Sequence, residues 1–377
     1  MRYGDIGDGA QYLSKRDVSI LKGFGILLIF LHNYFHWQSG LSIENEFIFR
    51  TSNFTTYLTH AFKSPLDFFR YSVAYFGHFG VQLFILTSAY GLYSSAQRQQ
   101  HTESYFEFLV PRLIKIFSLL LLGALVIALV KYLRQGDRFD PVVIASIVFF
   151  RITSIWNLSY DTIFNHSGPF WFFGLIVQLY VVFPILNKLV ARWPFWKDLV
   201  FVLIVSVLNM MLYPLLRGLN VPLMGQFIGH LPLFMLGLML AKHGYRHSLV
   251  AVAACLICFA LGQVYQVFFT ATFISIGYLM ITAFFSLKRL KGLSATRIPW
   301  LLEALGSISM AVFVINGPLR TLPLFQDENG NLLTDRFFLF TAILILASIP
   351  VAFLFKKLNS LLLGFYSAIR SSKLQIR

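Results

Sequence analysis

Apolar residues in this chain gather into runs of about 20, separated by shorter segments that collect the charges; bilayer-crossing helices have this pattern. Ten such runs cover roughly residues 17–37, 75–95, 109–131, 169–191, 197–216, 226–242, 247–268, 270–287, 303–320 and 336–356. An eleventh, Pro141 to Trp156, is shorter and broken by Arg151, so it reads as a short helix at the interface or dipping back into it. The pattern predicts an all-α, polytopic transmembrane helix bundle of about ten spanning helices. With the N-terminus in the cytoplasm, nineteen Lys and Arg side chains fall on the inside and ten on the outside. That excess follows the positive-inside rule. An eleventh span would move Lys288 to Arg297 outside, so ten spans are expected, with both termini cytoplasmic.

Composition narrows the class. The chain is 57% hydrophobic and 12% charged, against about 25% charged for a soluble domain. No long polar stretch is available for a soluble appendage. A single membrane domain over residues 1–377 is expected, with 358–377 as a short basic tail that lies along the inner surface. The net charge of +15 punctuates apolar runs instead of forming a basic, aromatic-laced soluble face. It therefore points to the lipid bilayer and its anionic headgroups, not to nucleic acid. Cys255 and Cys258 share one apolar run at helical spacing and read as small buried hydrophobes; no metal is expected, since no second pair stands at zinc-ligand spacing. The first run is long enough to span and has no small-residue cleavage site after it, which marks it as an uncleaved anchor.

Within that bundle, residues 15 to 37 (KRDVSILKGFGILLIFLHNYFHW) carry more polar chemistry than lipid tolerates cheaply. A charge at the bilayer centre costs roughly 2.5–3.5 kcal/mol, so such residues usually face a protein interior or a wet cavity. His32 and His36 are one helical turn apart on one face, and a neutral imidazole there can accept a proton. Each has a plainer reading, a structural hydrogen bond for His32 and an interfacial anchor for His36. Lys22 lies about three turns below His32. It either snorkels to the inner headgroups or offers a cation to an anionic cosubstrate from the cytoplasm. Arg112 and Lys115 stand at an inner helix mouth, as positive-inside anchors or as a phosphate-binding pair. Gly77, Gly80, Ser88 and Gly91 form a small-residue seam suited to close helix packing. Gln178, Asn209, Gln226, His230, Gln263 and Asn316 add polar positions inside apolar runs. These residues alone suit an enzyme, or a transporter or flippase of a lipid-linked glycan; a membrane sensor would need an output domain.

Several segments, taken in order, resemble the integral-membrane type-3 acyltransferases. The family pattern places a basic residue, about ten apolar residues and a His in the first span. Lys22 and His32 match it with nine intervening residues, and Asn33 stands at the family's usual spacing, which leaves His36 as the other candidate. GVQLFILTSAYG resembles the family's second-span segment. YFEFLVPRLIKI brings Arg112 and Lys115 to two habitual basic positions. WFFGLIVQLYVVFP matches through Trp171, Tyr180 and Pro184, and LGSISMAVFVIN ends in Asn316 where the family often has His. The resemblance implies an acyl-CoA-dependent O-acyltransferase of a bacterial inner membrane. Acyl-CoA, acetyl-CoA first, is the implied cosubstrate, and an extracytoplasmic glycan or glycolipid hydroxyl the acceptor. His32 or His36 is the implied catalytic base, with Lys22, Arg112 and Lys115 holding the cosubstrate. No Ser or Cys stands out as an activated nucleophile.

Overall fold

A computed structural model describes residues 10–98, 104–136, 140–166, 168–290 and 296–375. Of the basic residues counted above, Arg2, Arg138, Lys291 and Arg377 lie outside the described residues, as does the side chain of Lys373. Fourteen α-helices fall among the described residues, which contain no strand, only two isolated β-bridges. They are α1 Lys15–Phe35, α2 Thr51–Ala61, α3 Pro65–Phe76, α4 Gly80–Arg98, α5 Tyr105–Gln135, α6 Pro141–Ile152 and α7 Trp171–Arg192. There follow α8 Phe195–Gly218, α9 Phe227–His243, α10 Leu249–Val264, α11 Ala271–Lys288, α12 Ile298–Ser307, α13 Ser309–Leu319 and α14 Phe337–Gln375.

Among the described residues six helices are long and apolar enough to cross a membrane: α1, α5, α7 (with the turn before it), α8, α11 and α14. The broken pair α12 and α13 makes a seventh if it is one span. The chain is thus an integral, multi-pass, all-helical membrane protein with six or seven spans recognisable from length and composition. Of the other expected runs, α9 has 17 residues and α10 has 16. The expected run 75–95 begins differently: α3 ends at Phe76, a 3-10 turn covers Gly77–Phe79, and α4 starts at Gly80. The 141–156 run is a short helix of 12 residues, as its length requires. The expected basic tail is not separate from the last helix, because α14 continues without a break from Phe337 to Gln375.

Local chemistry sets the helix starts. Ser14 and Asp17 form a capping box: Ser14 Oγ accepts from Asp17 N at 3.1 Å and Asp17 Oδ2 accepts from Ser14 N at 2.8 Å. Ser104 and Glu107 repeat the device at α5. Such caps satisfy amides that the first turn otherwise orphans.

The chain divides into two compact units. The first holds Met1–His36, Gly40–His101 and Ile185–Ser307, the second Trp37–Ser39, Thr102–Pro184 and Ile308–Arg377. In the first unit, α1 packs against α3, α4 and α12, α4 against α9 and α11, and α9 against α8 and α11. Glycine permits the closest of these approaches. A Cβ on Gly25 would lie 2.9 Å from the Gly80 carbonyl of α4, and one on Gly23 or Gly306 would collide with backbone across the α1–α12 contact. Of the expected seam, Gly77 and Gly80 meet α1, whereas Gly91 has open space. Several buried polar groups of this unit find partners in the interior, since an unpaired one is costly there. Asn209 of α8 donates to the carbonyls of Ile228 and Gly229, and Gln263 of α10 accepts from Tyr75 Oη at 3.0 Å. Asp198, fully buried, receives Lys242 at 3.2 Å and His243 at 2.9 Å.

In the second unit, α5 packs with α6, α13 and α14. Arg151, which interrupts the short apolar run, is fully buried. Its guanidinium donates to Asn157 Oδ1 at 3.3 Å and Asn165 O at 2.9 Å and lies 5.1 Å from the Trp156 ring centroid, tying α6 to the loop after it.

Candidate active site

The site is assembled at the end of α1 by three histidines and one carboxylate, all in the first unit. His32 is buried, and its Nδ1 lies 2.9 Å from the carbonyl oxygen of Ala74, in the last turn of α3. A carbonyl only accepts, so Nδ1 carries the proton in this pair. The neutral ring then keeps its lone pair on Nε2, the tautomer that a general base needs. The last turn of a helix leaves carbonyls without intrahelical partners, so the same bond serves α3.

His36 follows one turn later, as the i, i+4 spacing requires. Its ring stacks on His32 with centroids 5.2 Å apart and planes 20° from parallel. His36 Nδ1 lies 2.7 Å from Glu44 Oε2. Burial works to raise the Glu44 pKa, but its hydrogen bond and charge interaction with His36 outweigh it and hold the carboxyl below the ordinary glutamate value. Ser42 Oγ, 3.5 Å from His36 Nε2, closes the other side of the ring. His78, in the turn between α3 and α4, is buried, and its ring meets His32 edge-on at 5.6 Å between centroids. The space behind is tight: a Cβ on Gly77 would lie 2.7 Å from the His32 Cβ. Among the described residues these donors do not gather as a metal site.

Three of these groups, Glu44, His78 and the Ala74 carbonyl, come from segments outside α1. Glu44 stands eight residues past His36 in a segment whose acidic residues were visible without a partner. His78 was part of an apolar run and gave no signal of its own. The Ala74 carbonyl is backbone and invisible to residue-type reasoning.

The three expected cosubstrate residues divide between the units. Lys22 is half-buried on α1 in the first unit. Arg112 and Lys115 lie on α5 in the second unit. Arg112 Nη1 donates to the Phe108 carbonyl at 2.6 Å, and its guanidinium sits 3.8 Å over the Phe108 ring. Lys115, one turn on, is exposed. The pair thus shares one helix, with one cation steadied by an aromatic face and the other open.

The candidate site is thus a buried imidazole bonded through Nδ1 to a backbone carbonyl and stacked on a carboxylate-paired neighbour, inside a multi-pass helical membrane protein. The model of the type-3 acyltransferase family, described as an acyltransferase domain, matches residues 16–357, and this chain belongs to that family. It is accordingly a membrane enzyme that transfers acyl groups. No curated protein and no solved structure matches the chain significantly.

Proposed function

We propose that this enzyme moves an acyl group, acetyl in the first instance, from cytoplasmic acyl-CoA to a hydroxyl of an extracytoplasmic glycan or glycolipid, in a bacterial inner membrane. The observation that carries the reading is the His32–Ala74 bond, which leaves the basic nitrogen of a buried imidazole available in a family of acyltransferases. His32 Nε2 takes the proton of the acceptor hydroxyl as its oxygen attacks the thioester carbonyl. The tetrahedral oxyanion then collapses, the C–S bond breaks, and the leaving thiolate takes the proton from His32. His36, held by Glu44, positions the ring it stacks on. A positioned base contributes about 10²–10⁴-fold.

The same reading has ten spans with both termini in the cytoplasm. The broken α12–α13 pair, α4, α9 and α10 complete the six long helices. At 1.5 Å per residue the last three are about 24–29 Å long, close to the roughly 30 Å hydrocarbon core. Arg112 and Lys115 on α5 are then the cations for the phosphates of CoA on the cytoplasmic side.

Purified protein in lipid vesicles, given acetyl-CoA labelled in the acetyl group and a surface-glycan extract, tests this. Label transferred to glycan in step with free CoA release is the expected result. Glycan movement across the vesicle wall with no thioester cleavage would overturn it in favour of a transporter.

A further inference from the structure

A second feature of the first unit is unrelated to proton transfer. Between α1, α3, α4, α10, α11 and α12 lies an open groove with a cavity volume of about 1050 Å³. Phe24, Leu28, Phe259, Met280, Ala283 and Leu302 are typical of its walls, which are apolar but for Ser72 and one charged end. A groove of this size is at the upper end of ligand sites. Along α1 it runs from Arg16 to Leu28, about 18 Å at 1.5 Å per residue. That is one leaflet of a roughly 30 Å hydrocarbon core.

The two ends differ. One ends at Gly77, directly behind the His32 backbone. The other is charged. Arg16 pairs with Glu303 at 3.0 Å and Lys288 with Asp17 at 2.7 Å. Lys15 and Arg289 adjoin these residues in sequence and Arg297 adjoins the lining residue Ile298, so the region carries five basic and two acidic side chains. Basic residues at a membrane surface attract anionic headgroups. Coenzyme A suits the groove less well, because its pantetheine arm carries several amides and a hydroxyl and Ser72 is the one polar side chain lining the groove away from its charged end.

We infer that the groove seats a hydrocarbon chain of an anionic glycerophospholipid, with its headgroup at the Arg16–Lys288 end and its chain running toward Gly77. The lipid comes from the leaflet on the Lys15 side.

The test uses the full chain purified in mild detergent and equilibrated with phosphatidylglycerol and phosphatidylcholine of identical chains, with retained lipid read by native mass spectrometry. Phosphatidylglycerol is expected to be retained over phosphatidylcholine by about fivefold or more. Ala283→Trp, at an exposed wall position, is expected to abolish retention of both. Lys15→Gln with Arg289→Gln is expected to remove only the headgroup preference. Met280→Phe serves as the filling variant if the tryptophan does not fold. No retained lipid, equal retention of the two headgroups, or retention unchanged by filling the groove would each overturn the inference. Displacement of phosphatidylglycerol by palmitoyl-CoA at equal concentration would also overturn it, by making the groove a donor site.

Discussion

Replacing His32 by Ala separates the two jobs given to that ring. The catalytic job is the larger. Loss of a positioned base lowers the rate about 10²–10⁴-fold, which at 1.36 kcal/mol per decade is about 3–5 kcal/mol of barrier. The structural job is the bond from Nδ1 to the Ala74 carbonyl at 2.9 Å. Stranding a buried carbonyl costs about 1–3 kcal/mol. That is less than the ~5–15 kcal/mol of a typical native protein, so His32→Ala stays folded. Two assays divide the effects: acyl transfer from labelled acetyl-CoA, and thermal unfolding in detergent. The expected outcome is a rate at least 100-fold below wild type, with a cooperative transition a few degrees lower. Free imidazole, which can occupy the vacated space and accept the proton, restores part of the rate but not the melting temperature. Turnover within tenfold of wild type by a folded His32→Ala protein refutes the assignment of His32 as base.

Glu44→Gln keeps the shape but removes the charge beside His36, and a rate loss of about tenfold is expected, with KM for acyl-CoA unchanged. Because the Glu44 pKa is lowered on folding, its contribution to stability is complete above its unfolded value near 4.5. That contribution is lost as pH falls through the lower folded value; melting temperature against pH in wild type and Glu44→Gln should converge at the acid end. Gly77→Ala forces a Cβ within 2.7 Å of the His32 Cβ, and overpacking of about 1–3 kcal/mol should lower both melting temperature and rate, while Gly91→Ala, with open space, changes neither. Asp198→Ala leaves Lys242 and His243 without their buried anion, an expected loss of about 3–5 kcal/mol readable by thermal unfolding. Arg112→Ala with Lys115→Ala should raise KM for acetyl-CoA about tenfold or more and leave kcat nearly intact; an unchanged KM moves the CoA site elsewhere.

Helical class and membrane residence were legible in the chain because both depend on local quantities. A run of some 20 apolar residues must close its hydrogen bonds internally in lipid whatever its neighbours are. His32 and His36 could be paired on one face for the same reason, since a helix sets the i, i+4 relation by itself. The family pattern was readable too, through Lys22, His32, Arg112 and Lys115 in order. Span boundaries were less so. Residues 65–98 read as a loop and one span, yet form α3, a 3-10 turn and α4, because the seam glycines that look continuous in sequence let α1 press between the two.

What the sequence determined by itself is therefore a helical membrane acyltransferase with imidazoles on its first helix. Only the tertiary structure decided which atoms complete the site. The Ala74 carbonyl that sets the His32 tautomer, the Glu44 carboxylate beside His36 and the edge-on His78 ring come from segments outside α1. Contacts between such segments depend on how helices pack, on which glycines allow approach and which polar atoms must find partners away from water. Residue type and spacing along one helix carry no record of that.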